Sequence, residues 1–286
     1  MQDLSPDKAR TAAVFSAAAD HFDAPPLAFW ARIGARTVDR IQLVPGQRVL
    51  DVCCGTGASA LPAAQAVGPA GSVLGVDLAE PLLARGREKA RALGLANVEL
   101  RCADVEALEE PEGSFDAVVC VFGIFFFPDM EAAARRLWRW VKPGGVLAIT
   151  TWGHDVMAPG DGIFWQAVGA RRPELVKTSR PWDRIATPTT LGDFLVGAGV
   201  AEPTPTIEAE TSAQKLEAPE DLWTIALGSG YRGTIDQLDE ASREAVRQET
   251  VGALRAQGVQ TAQTNVMYAL ARKGREVLPE ASRENG

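Results

Sequence analysis

The sequence predicts an α/β protein with a doubly wound, mostly parallel β-sheet. Short β-branched segments alternate with helix-like segments between residues 45 and 152, and the connections between them are short. One of these segments, residues 115–122, is apolar along its whole length, which is typical of a strand buried on both faces of a sheet. Alternation of this kind indicates parallel crossover units.

Five strands and three helices are predicted in this part of the chain. The first strand follows a Pro-Gly turn, and the last follows the breaker KPGG at residues 142–145. The predicted strands are residues 48–52, 72–77, 97–101, 115–122 and 146–152. The predicted helices are residues 58–67, 80–93 and 129–141.

The pattern changes beyond residue 152. A stretch rich in Gly, Pro and Trp is predicted to be irregular or short-helical, and it is followed by a mixture of helices and isolated strands. The predicted order is irregular 153–187, helix 190–198, strand 204–210, helical 219–257 and strand 265–272. Because the sequence contains neither an internal repeat nor a long linker, we expect a single domain over residues 1–286.

Composition limits the possible partners. The chain carries a net charge of −8 and has no block of Lys and Arg, which disfavours a nucleic-acid partner. Its longest apolar run, residues 117–128, is too short to span a bilayer, and its polar first residues lack the apolar core of a signal peptide. We therefore expect a cytoplasmic protein without a membrane partner.

The four cysteines raise the question of a thiol or metal site, because two of them are neighbours. The sequence has no C-x-x-C pair and only two histidines to complete a metal cluster. We therefore predict no metal site, and we interpret Cys53 and Cys54 as small side chains near the end of a buried strand.

Acidic residues lie at the ends of three successive predicted strands. Asp51 and Asp77 end the first and second strands, and Asp104 follows the third. Gly55 and Gly57 follow the first strand and allow a ligand to approach the backbone closely. Because ligands of doubly wound sheets bind at the carboxyl ends of the strands, this group predicts a site for a ligand rich in amine and hydroxyl donors.

Two cofactors compete for this site. Residues 55–60 satisfy G-x-G-x-x-G/A, and Asp77 follows Gly57 at the spacing of a dinucleotide fingerprint, which favours NAD. Asp51 argues against NAD because its carboxylate would repel a pyrophosphate at this turn, whereas it could accept a hydrogen bond from a cationic amine. S-adenosylmethionine carries an amino acid, a ribose and an adenine, and fits all three carboxylates.

The motifs VLDVCCGTG, GVDLAEPLL, CADVEAL, FDAVVCVFG and LWRWVKPGGVLAITTW resemble those of the class I S-adenosylmethionine-dependent methyltransferases. They are most similar to ubiquinone- and menaquinone-biosynthesis methyltransferases and other small-molecule methyltransferases. The resemblance implies a seven-stranded Rossmann-like sheet with helical lid additions. It divides the chain into an N-terminal helical lid (1–44), a cofactor-binding core (45–152), and lid insertions with the final strands (153–286).

The resemblance also implies roles at the methionine end of the cofactor. Asp51, Gly55 and Gly57 would lie against the methionine part, and Val121 and Phe122 would border the sulfonium. Cys53 occupies a position where the family usually has glycine, and is expected to belong to this part of the site.

At the nucleoside end, the resemblance assigns the ribose hydroxyls to Asp77 and one face of the adenine to Leu78. Asp104 would accept a hydrogen bond from the adenine amino group, and the backbone of Val105 would meet the ring.

Catalysis by such a protein needs little beyond positioning. Methyl transfer from a sulfonium is an in-line displacement, so the protein must align the acceptor and exclude water. A general base is required only if the acceptor must lose a proton, and His21 and His154 are the candidates because histidine titrates near neutral pH.

Aromatic residues indicate the chemistry of the acceptor. Many of them fall in segments after the fourth and fifth strands or in the expected lid, namely Phe125–Phe127, Trp152, Phe164, Trp165, Trp182, Trp223 and Tyr231. They favour a small apolar or aromatic organic acceptor, with O-, N- and C-methylation all open. The alternatives are an NAD-dependent oxidoreductase and a non-catalytic S-adenosylmethionine-binding protein.

Overall fold

A computed structural model describes residues 4–200 and 203–274 of the chain. Its centre is a seven-stranded sheet, and two further short strands form a separate pair. The strands are β1 (Arg48–Val52), β2 (Ser72–Asp77), β3 (Val98–Cys102), β4 (Phe115–Val121), β5 (Val141–Trp152), β6 (Thr206–Glu210), β7 (Ala213–Lys215), β8 (Thr261–Gln263) and β9 (Val266–Arg272).

The order of strands in the large sheet is β3-β2-β1-β4-β5-β9-β6. The first five strands are parallel, and β9 lies antiparallel between β5 and β6. The direction of winding reverses between β1 and β4, and ligands of such sheets bind outside the carboxyl ends of the strands at this switch point. The predicted doubly wound, mostly parallel sheet with seven strands is therefore confirmed.

Helices cover both faces of the sheet and extend beyond it. They are α1 (Pro6–Phe22), α2 (Phe29–Ile41), α3 (Ala60–Val67), α4 (Glu80–Ala92), α5 (Met130–Trp140), α6 (Gly160–Gly169), α7 (Pro188–Gly197), α8 (Asp221–Leu227), α9 (Arg232–Ile235) and α10 (Glu240–Ala256). The starts of α1 and α5 are capped by Ser5 and Asp129, whose side chains accept hydrogen bonds from backbone N–H groups of the first turn.

The alternation of side chains along each strand divides the core into two layers. Val49 of β1 packs with residues of α2, α3 and α4, whereas the next residue, Leu50, belongs to the larger cluster that includes α5 and α7. Both residues are fully buried. The central strands are therefore apolar on both faces, as their sequences predict.

α1 lies outside these two layers. It packs against α4 on one side and against α8 and α9 on the other. Its contact with the rest of the chain includes a small apolar cluster in which Ala19 and Phe22 meet Ala79 and Leu82. The N-terminal helix thus connects the sheet to the later helical segments.

The largest departure from the predicted elements is the start of β5. The strand begins at Val141, five residues before the predicted start at residue 146. Residues 142–145 form an irregularity in the pairing with β4, where Lys142 Nζ donates to the Asp116 carboxylate at 3.0 Å. The Pro-Gly-Gly sequence thus interrupts the register of the strand without ending it.

The second half differs from the prediction in two further respects. The helical stretch 219–257 is divided into α8, α9 and α10, with breaks at residues 228–231 and 236–239. Strands β7 and β8 were not predicted, because three-residue strands carry too little periodicity to be recognised.

Within the part of the chain that the structure describes, no helix combines the length and the apolar character needed to cross a membrane.

Candidate active site

Asp77 connects the first two strands at the carboxyl edge of the sheet. Its Oδ2 accepts a hydrogen bond from Gly55 N at 2.9 Å, and its Oδ1 accepts one from Ala79 N at 2.8 Å. Burial raises the pKa of Asp77, and the hydrogen bonds from Ala79, Gly55 and Leu78 oppose that rise. Each carboxylate oxygen retains capacity for a further donor. Asp77 therefore fixes the glycine loop and remains available to a ligand.

Asp51 is almost completely buried at the end of β1, with a relative exposure of 1%. Its Oδ2 accepts a hydrogen bond from Ser59 Oγ at 2.7 Å, but its Oδ1 has no hydrogen-bond partner among residues 4–200 and 203–274. Burial, together with the negative charge of Asp77, raises the pKa of Asp51 to about 7, although the Ser59 hydrogen bond acts in the opposite direction. Buried polar atoms normally take part in a hydrogen bond, so Asp51 Oδ1 requires a donor that the described residues do not supply.

The loop between β1 and α3 explains the family preference for glycine. Cys53, Gly55 and Gly57 have φ values of 57°, 53° and 86°, respectively, all in the left-handed region. At Gly57 an added Cβ would also lie 2.9 Å from Leu61 Cγ. This position therefore excludes a side chain both by its positive φ and by the collision with Leu61.

Cys53 adopts a left-handed conformation that is unfavourable for a residue with a Cβ atom. Its side chain packs where Gly123 leaves room, because a Cβ on Gly123 would lie 2.6 Å from Cys53 Cβ. A small residue at position 53 and a glycine at position 123 therefore depend on each other.

All four cysteines are free thiols. A hydrogen bond with Cys120, together with burial, raises the pKa of Cys53, and burial raises the pKa of Cys54. Protonated, enclosed thiols are poor nucleophiles. The chemistry of the loop thus supports the interpretation of Cys53 and Cys54 as packing residues.

Asp104 follows β3 and has two local functions. Its Oδ1 accepts a hydrogen bond from Glu106 N at 2.9 Å and caps the short turn Val105–Ala107. Its carboxylate also forms an ion pair with Lys8 of α1, which contacts Glu106 as well. Asp104 is thus both a capping residue and a contact point for α1.

Leu78 and Val105 lie directly after the two carboxylates of the nucleoside end. Leu78 is half-buried, and its carbonyl is 3.6 Å from the Cys102 thiol, whereas Val105 is buried. The Ala103 backbone N–H donates to the carbonyl of Asp77 at 3.1 Å, which holds the ends of β2 and β3 together. These positions are compatible with the roles that the sequence predicts, which stay predictions.

Phe122 follows Val121, the half-buried last residue of β4, and has a positive φ of 55°. Its ring stacks on Trp152 at the end of β5 with a centroid distance of 3.9 Å. Trp30 of α2 approaches both rings, with its centroid 5.3 Å from Phe122 and 5.6 Å from Trp152. The switch point of the sheet is therefore bordered by aromatic side chains.

These rings belong to a closed circuit that we name the aromatic belt. Each ring centroid lies between 4.8 and 6.4 Å from the next. The members in order are Phe15, Phe22, Trp30, Trp152, Trp182, Phe125 and Phe126. The belt joins α1, α2 and the segments after β4 and β5, and Phe122 packs against two of its members.

The structure divides the aromatic residues that the sequence singles out. Phe125, Phe126, Trp152 and Trp182 are in the belt, whereas Phe127 is buried in the main core. Four others pack with one another in a separate cluster between α6, α8 and α9: Phe164, Trp165, Trp223 and Tyr231.

The two candidate histidines have different surroundings. His21 lies in the last turn of α1, next in sequence to Phe22, and its Nδ1 is buried without a hydrogen-bond partner in the described parts of the chain. His154 is exposed, and its backbone carbonyl accepts a hydrogen bond from Asn265 Nδ2 at 3.0 Å. His21 is therefore the more enclosed of the two histidines.

Sequence reasoning missed the residues by which α1 and the segment after it contact the site. Asp23 Oδ1 accepts hydrogen bonds from Thr56 Oγ1 and Lys89 Nζ, both at 2.8 Å. Thr56 lies in the glycine loop and is 1% exposed. The apolar spacing of Phe15 and Phe22 on a helix was the available signal, but it does not identify the packing partner.

Comparison with known proteins identifies the family. A profile described as Methyltransferase domain matches residues 49–145. Nocamycin O-methyltransferase of Saccharothrix syringae is 32% identical over 278 residues, which cover 91% of this chain and 97% of that protein. The chain therefore belongs to the class I S-adenosylmethionine-dependent methyltransferases, and S-adenosylmethionine is its cofactor.

Two further similarities agree with this assignment. Aklanonic acid methyltransferase DauC of Streptomyces sp. (strain C5) is 37% identical over 151 residues, which cover 53% of this chain and 68% of that protein. Among solved structures, the [4+2]-cyclase SpnF superimposes with a TM-score of 0.51 at 24% identity, covering 86% of this chain and 81% of that chain. The second similarity shows the fold alone. The NAD alternative receives no support.

The donor set of the cofactor fits the described residues. S-adenosylmethionine offers a cationic amine, ribose hydroxyls and an adenine amino group, all of which donate hydrogen bonds. The strand ends offer the carboxylates Asp51, Asp77 and Asp104, and Asp51 Oδ1 is a buried acceptor without a donor. The chemistry of the residues and that of the cofactor are complementary.

Proposed function

We propose that this methyltransferase transfers a methyl group to an oxygen atom of a small, flat aromatic molecule held against the aromatic belt. The belt is the observation that carries the proposal, because flat aromatic rings lie at the ends of β4 and β5, and one of them, Phe22, approaches the glycine loop. The similarity to a protein named as an O-methyltransferase over nine-tenths of the chain supports oxygen as the methylated atom.

The residues of the strand ends would hold the cofactor. When bound, S-adenosylmethionine supplies a methyl group on a positively charged sulfur. Asp51 Oδ1 would accept a hydrogen bond from the cationic amine, Asp77 would accept hydrogen bonds from the ribose hydroxyls, and Asp104 would accept one from the adenine amino group. Glycine-loop residues would allow close approach of the backbone.

The aromatic belt would orient the acceptor and exclude water from it. Positioning and desolvation account for most of the catalysis that an activated methyl donor requires. Where the acceptor oxygen carries a proton, His21 would receive it, because its Nδ1 is unpartnered in the described parts of the chain. His154 would be the second choice since it is exposed.

The expected location and partners follow from charge and thiol chemistry. A net charge of −8 supports a small-molecule substrate over a nucleic acid. Four free thiols suit a reducing compartment, so we propose that the protein functions in the cytoplasm.

A labelled methyl group tests the proposal. The protein is incubated with S-adenosylmethionine carrying a deuterated methyl group and with one of three acceptors. These are a dihydroxyanthraquinone, a dihydroxyanthraquinone carboxylic acid and an aminoanthraquinone. We expect mass spectrometry to detect a labelled product from an oxygen acceptor and NMR to place the label on oxygen, with no product from Asp77→Ala. Labelling of nitrogen or carbon alone, or of no acceptor by protein that binds the cofactor, would contradict the proposal.

A further inference from the structure

Trp30 has a polar atom that the fold leaves without a function. Its indole Nε1 is buried and has no hydrogen-bond partner within residues 4–200 and 203–274. Two other indole groups show the usual arrangement, since Trp140 Nε1 donates to the Glu110 carbonyl at 3.0 Å and Trp165 Nε1 donates to Asp161 Oδ1 at 2.9 Å. A buried N–H without an acceptor is unfavourable and therefore requires an explanation.

The surroundings of Trp30 are aromatic. Its ring is nearly parallel to that of Phe22, with an interplanar angle of 4° and a centroid distance of 5.3 Å. The rings of Phe29, Phe122 and Trp152 lie between 4.6 and 5.6 Å away. A ring face is at best a weak acceptor, so these neighbours cannot replace an oxygen atom as the partner of the N–H group.

Trp30 also lies near the switch point of the sheet. Phe122 and Trp152 connect it to the switch point of the sheet. Phe22, its parallel neighbour, approaches the glycine loop, because a Cβ on Gly55 would lie 3.6 Å from the Phe22 ring. The part of the aromatic belt that contains Trp30 and Phe22 thus extends from the switch point to the loop that precedes α3.

We propose that the Trp30 indole N–H donates a hydrogen bond to a ring-attached carbonyl or carboxylate oxygen of the acceptor, which meets the edge of the indole ring. This inference rests on the proposed function and narrows it, because it requires an acceptor with such an oxygen beside the methylated one. Stacking on other rings of the aromatic belt would set the plane of the acceptor, and the Trp30 N–H group would set its rotation within that plane.

The test compares Trp30→Phe with the unaltered protein. The substitution keeps an aromatic ring and removes the N–H donor, together with part of the contact area of the indole. Binding of dihydroxyanthraquinone, which has ring carbonyls, is measured by calorimetry in the presence of S-adenosylhomocysteine. We expect the Kd to rise about tenfold to hundredfold, while the Kd of S-adenosylhomocysteine stays the same. Trp138→Phe, at a half-buried position of α5 outside the belt, is the matched control and should change the Kd by less than about twofold.

A second probe separates hydrogen bonding from packing. Dihydroxyanthracene has the same flat shape but no ring carbonyls. Its Kd should therefore be the same for the unaltered protein and for Trp30→Phe. In protein labelled with ¹⁵N-indole tryptophan, the cross-peak that is missing in Trp30→Phe should move when dihydroxyanthraquinone binds.

Each other outcome contradicts a defined part of the inference. Equal loss of affinity for both probes, or no loss for either, overturns the role of the N–H group. Failure of dihydroxyanthraquinone to bind the protein loaded with S-adenosylhomocysteine overturns the substrate class. Failure of S-adenosylhomocysteine itself to bind contradicts the proposed function rather than this inference.

Discussion

The Lys8 ammonium of α1 forms an ion pair with the Asp104 carboxylate that follows β3, and both side chains are largely enclosed. At the other end of the helix, Asp23 binds Thr56 of the glycine loop. α1 is therefore connected at both ends to the segments that we propose hold the cofactor.

The Lys8–Asp104 pair leads to a prediction about the stability of α1. Loss of a partly buried ion pair should lower the free energy of local unfolding of α1 by about 1 to 2 kcal/mol. This corresponds to roughly five- to thirtyfold faster amide exchange in the helix. We expect Lys8→Met to accelerate amide exchange in α1 and to leave α2 unchanged. Arg10→Met is the control, because Arg10 pairs with Asp7 at 3.6 Å on the surface and both are more than three-quarters exposed. Equal acceleration in both variants would show that the pair does not stabilise α1.

Asp77→Ala should weaken the binding of S-adenosylhomocysteine by about hundredfold or more, since it removes acceptors for the ribose and releases Gly55 and Ala79. Isothermal titration calorimetry measures this loss. Cys53→Ala keeps the backbone and should change the Kd by less than about threefold. If the two variants lost affinity equally, the thiol would have a direct function that our interpretation denies.

Gly57→Ala should destabilise the protein by about 2 to 4 kcal/mol, because an added Cβ would collide with Leu61 in a left-handed backbone. Gly94→Ala is the matched control. Gly94 also has a positive φ, of 68°, but a Cβ there would meet nothing within 4 Å, so we expect a cost of about 1 kcal/mol. Urea denaturation compares the two. A smaller loss at Gly57 than at Gly94 would mean that the loop rearranges freely.

Asp51 should make the stability of the free protein depend on pH. Its pKa rises on folding from 3.8 to about 7. Between these values the folded state binds more protons than the unfolded state, so the free energy of unfolding falls as pH rises from about 4 to about 7 and then levels off.

Asp51→Asn should remove this decrease, because an asparagine does not titrate. The free energy of unfolding of Asp51→Asn relative to that of the unaltered protein should therefore increase with pH, by at most about 4 kcal/mol above pH 7. Urea denaturation between pH 5 and pH 8 measures the difference. Asp20→Asn serves as the control, because the Asp20 side chain is 85% exposed. A constant difference between Asp51→Asn and the unaltered protein across this pH range would contradict a carboxyl group that titrates near neutrality.

Local patterns in the sequence were sufficient to predict the sheet and the carboxylates at its edge. The apolar character of β4 and the positions of Asp51 and Asp77 depend on neighbours along the chain, which is why they could be recognised. The structure adds a reason for the unusual Cys53, whose left-handed backbone and contact with Gly123 are invisible in the sequence.

The contacts of α1 could not be predicted in the same way. Lys8 and Asp104 are 96 residues apart, and Asp23 and Thr56 are 33 residues apart. The aromatic belt likewise closes only when α1 packs on the segment after β4. Spacing within a helix indicates that Phe15 and Phe22 share a face, but it does not determine which distant residue that face contacts.

A crystal structure of the complex with S-adenosylhomocysteine would show directly which residues hold the cofactor. We expect both ribose hydroxyls within hydrogen-bonding distance of the Asp77 carboxylate, the cationic amine at Asp51 Oδ1, and the sulfur beside Phe122. A ribose bound away from Asp77, or a sulfur remote from the aromatic belt, would contradict this expectation.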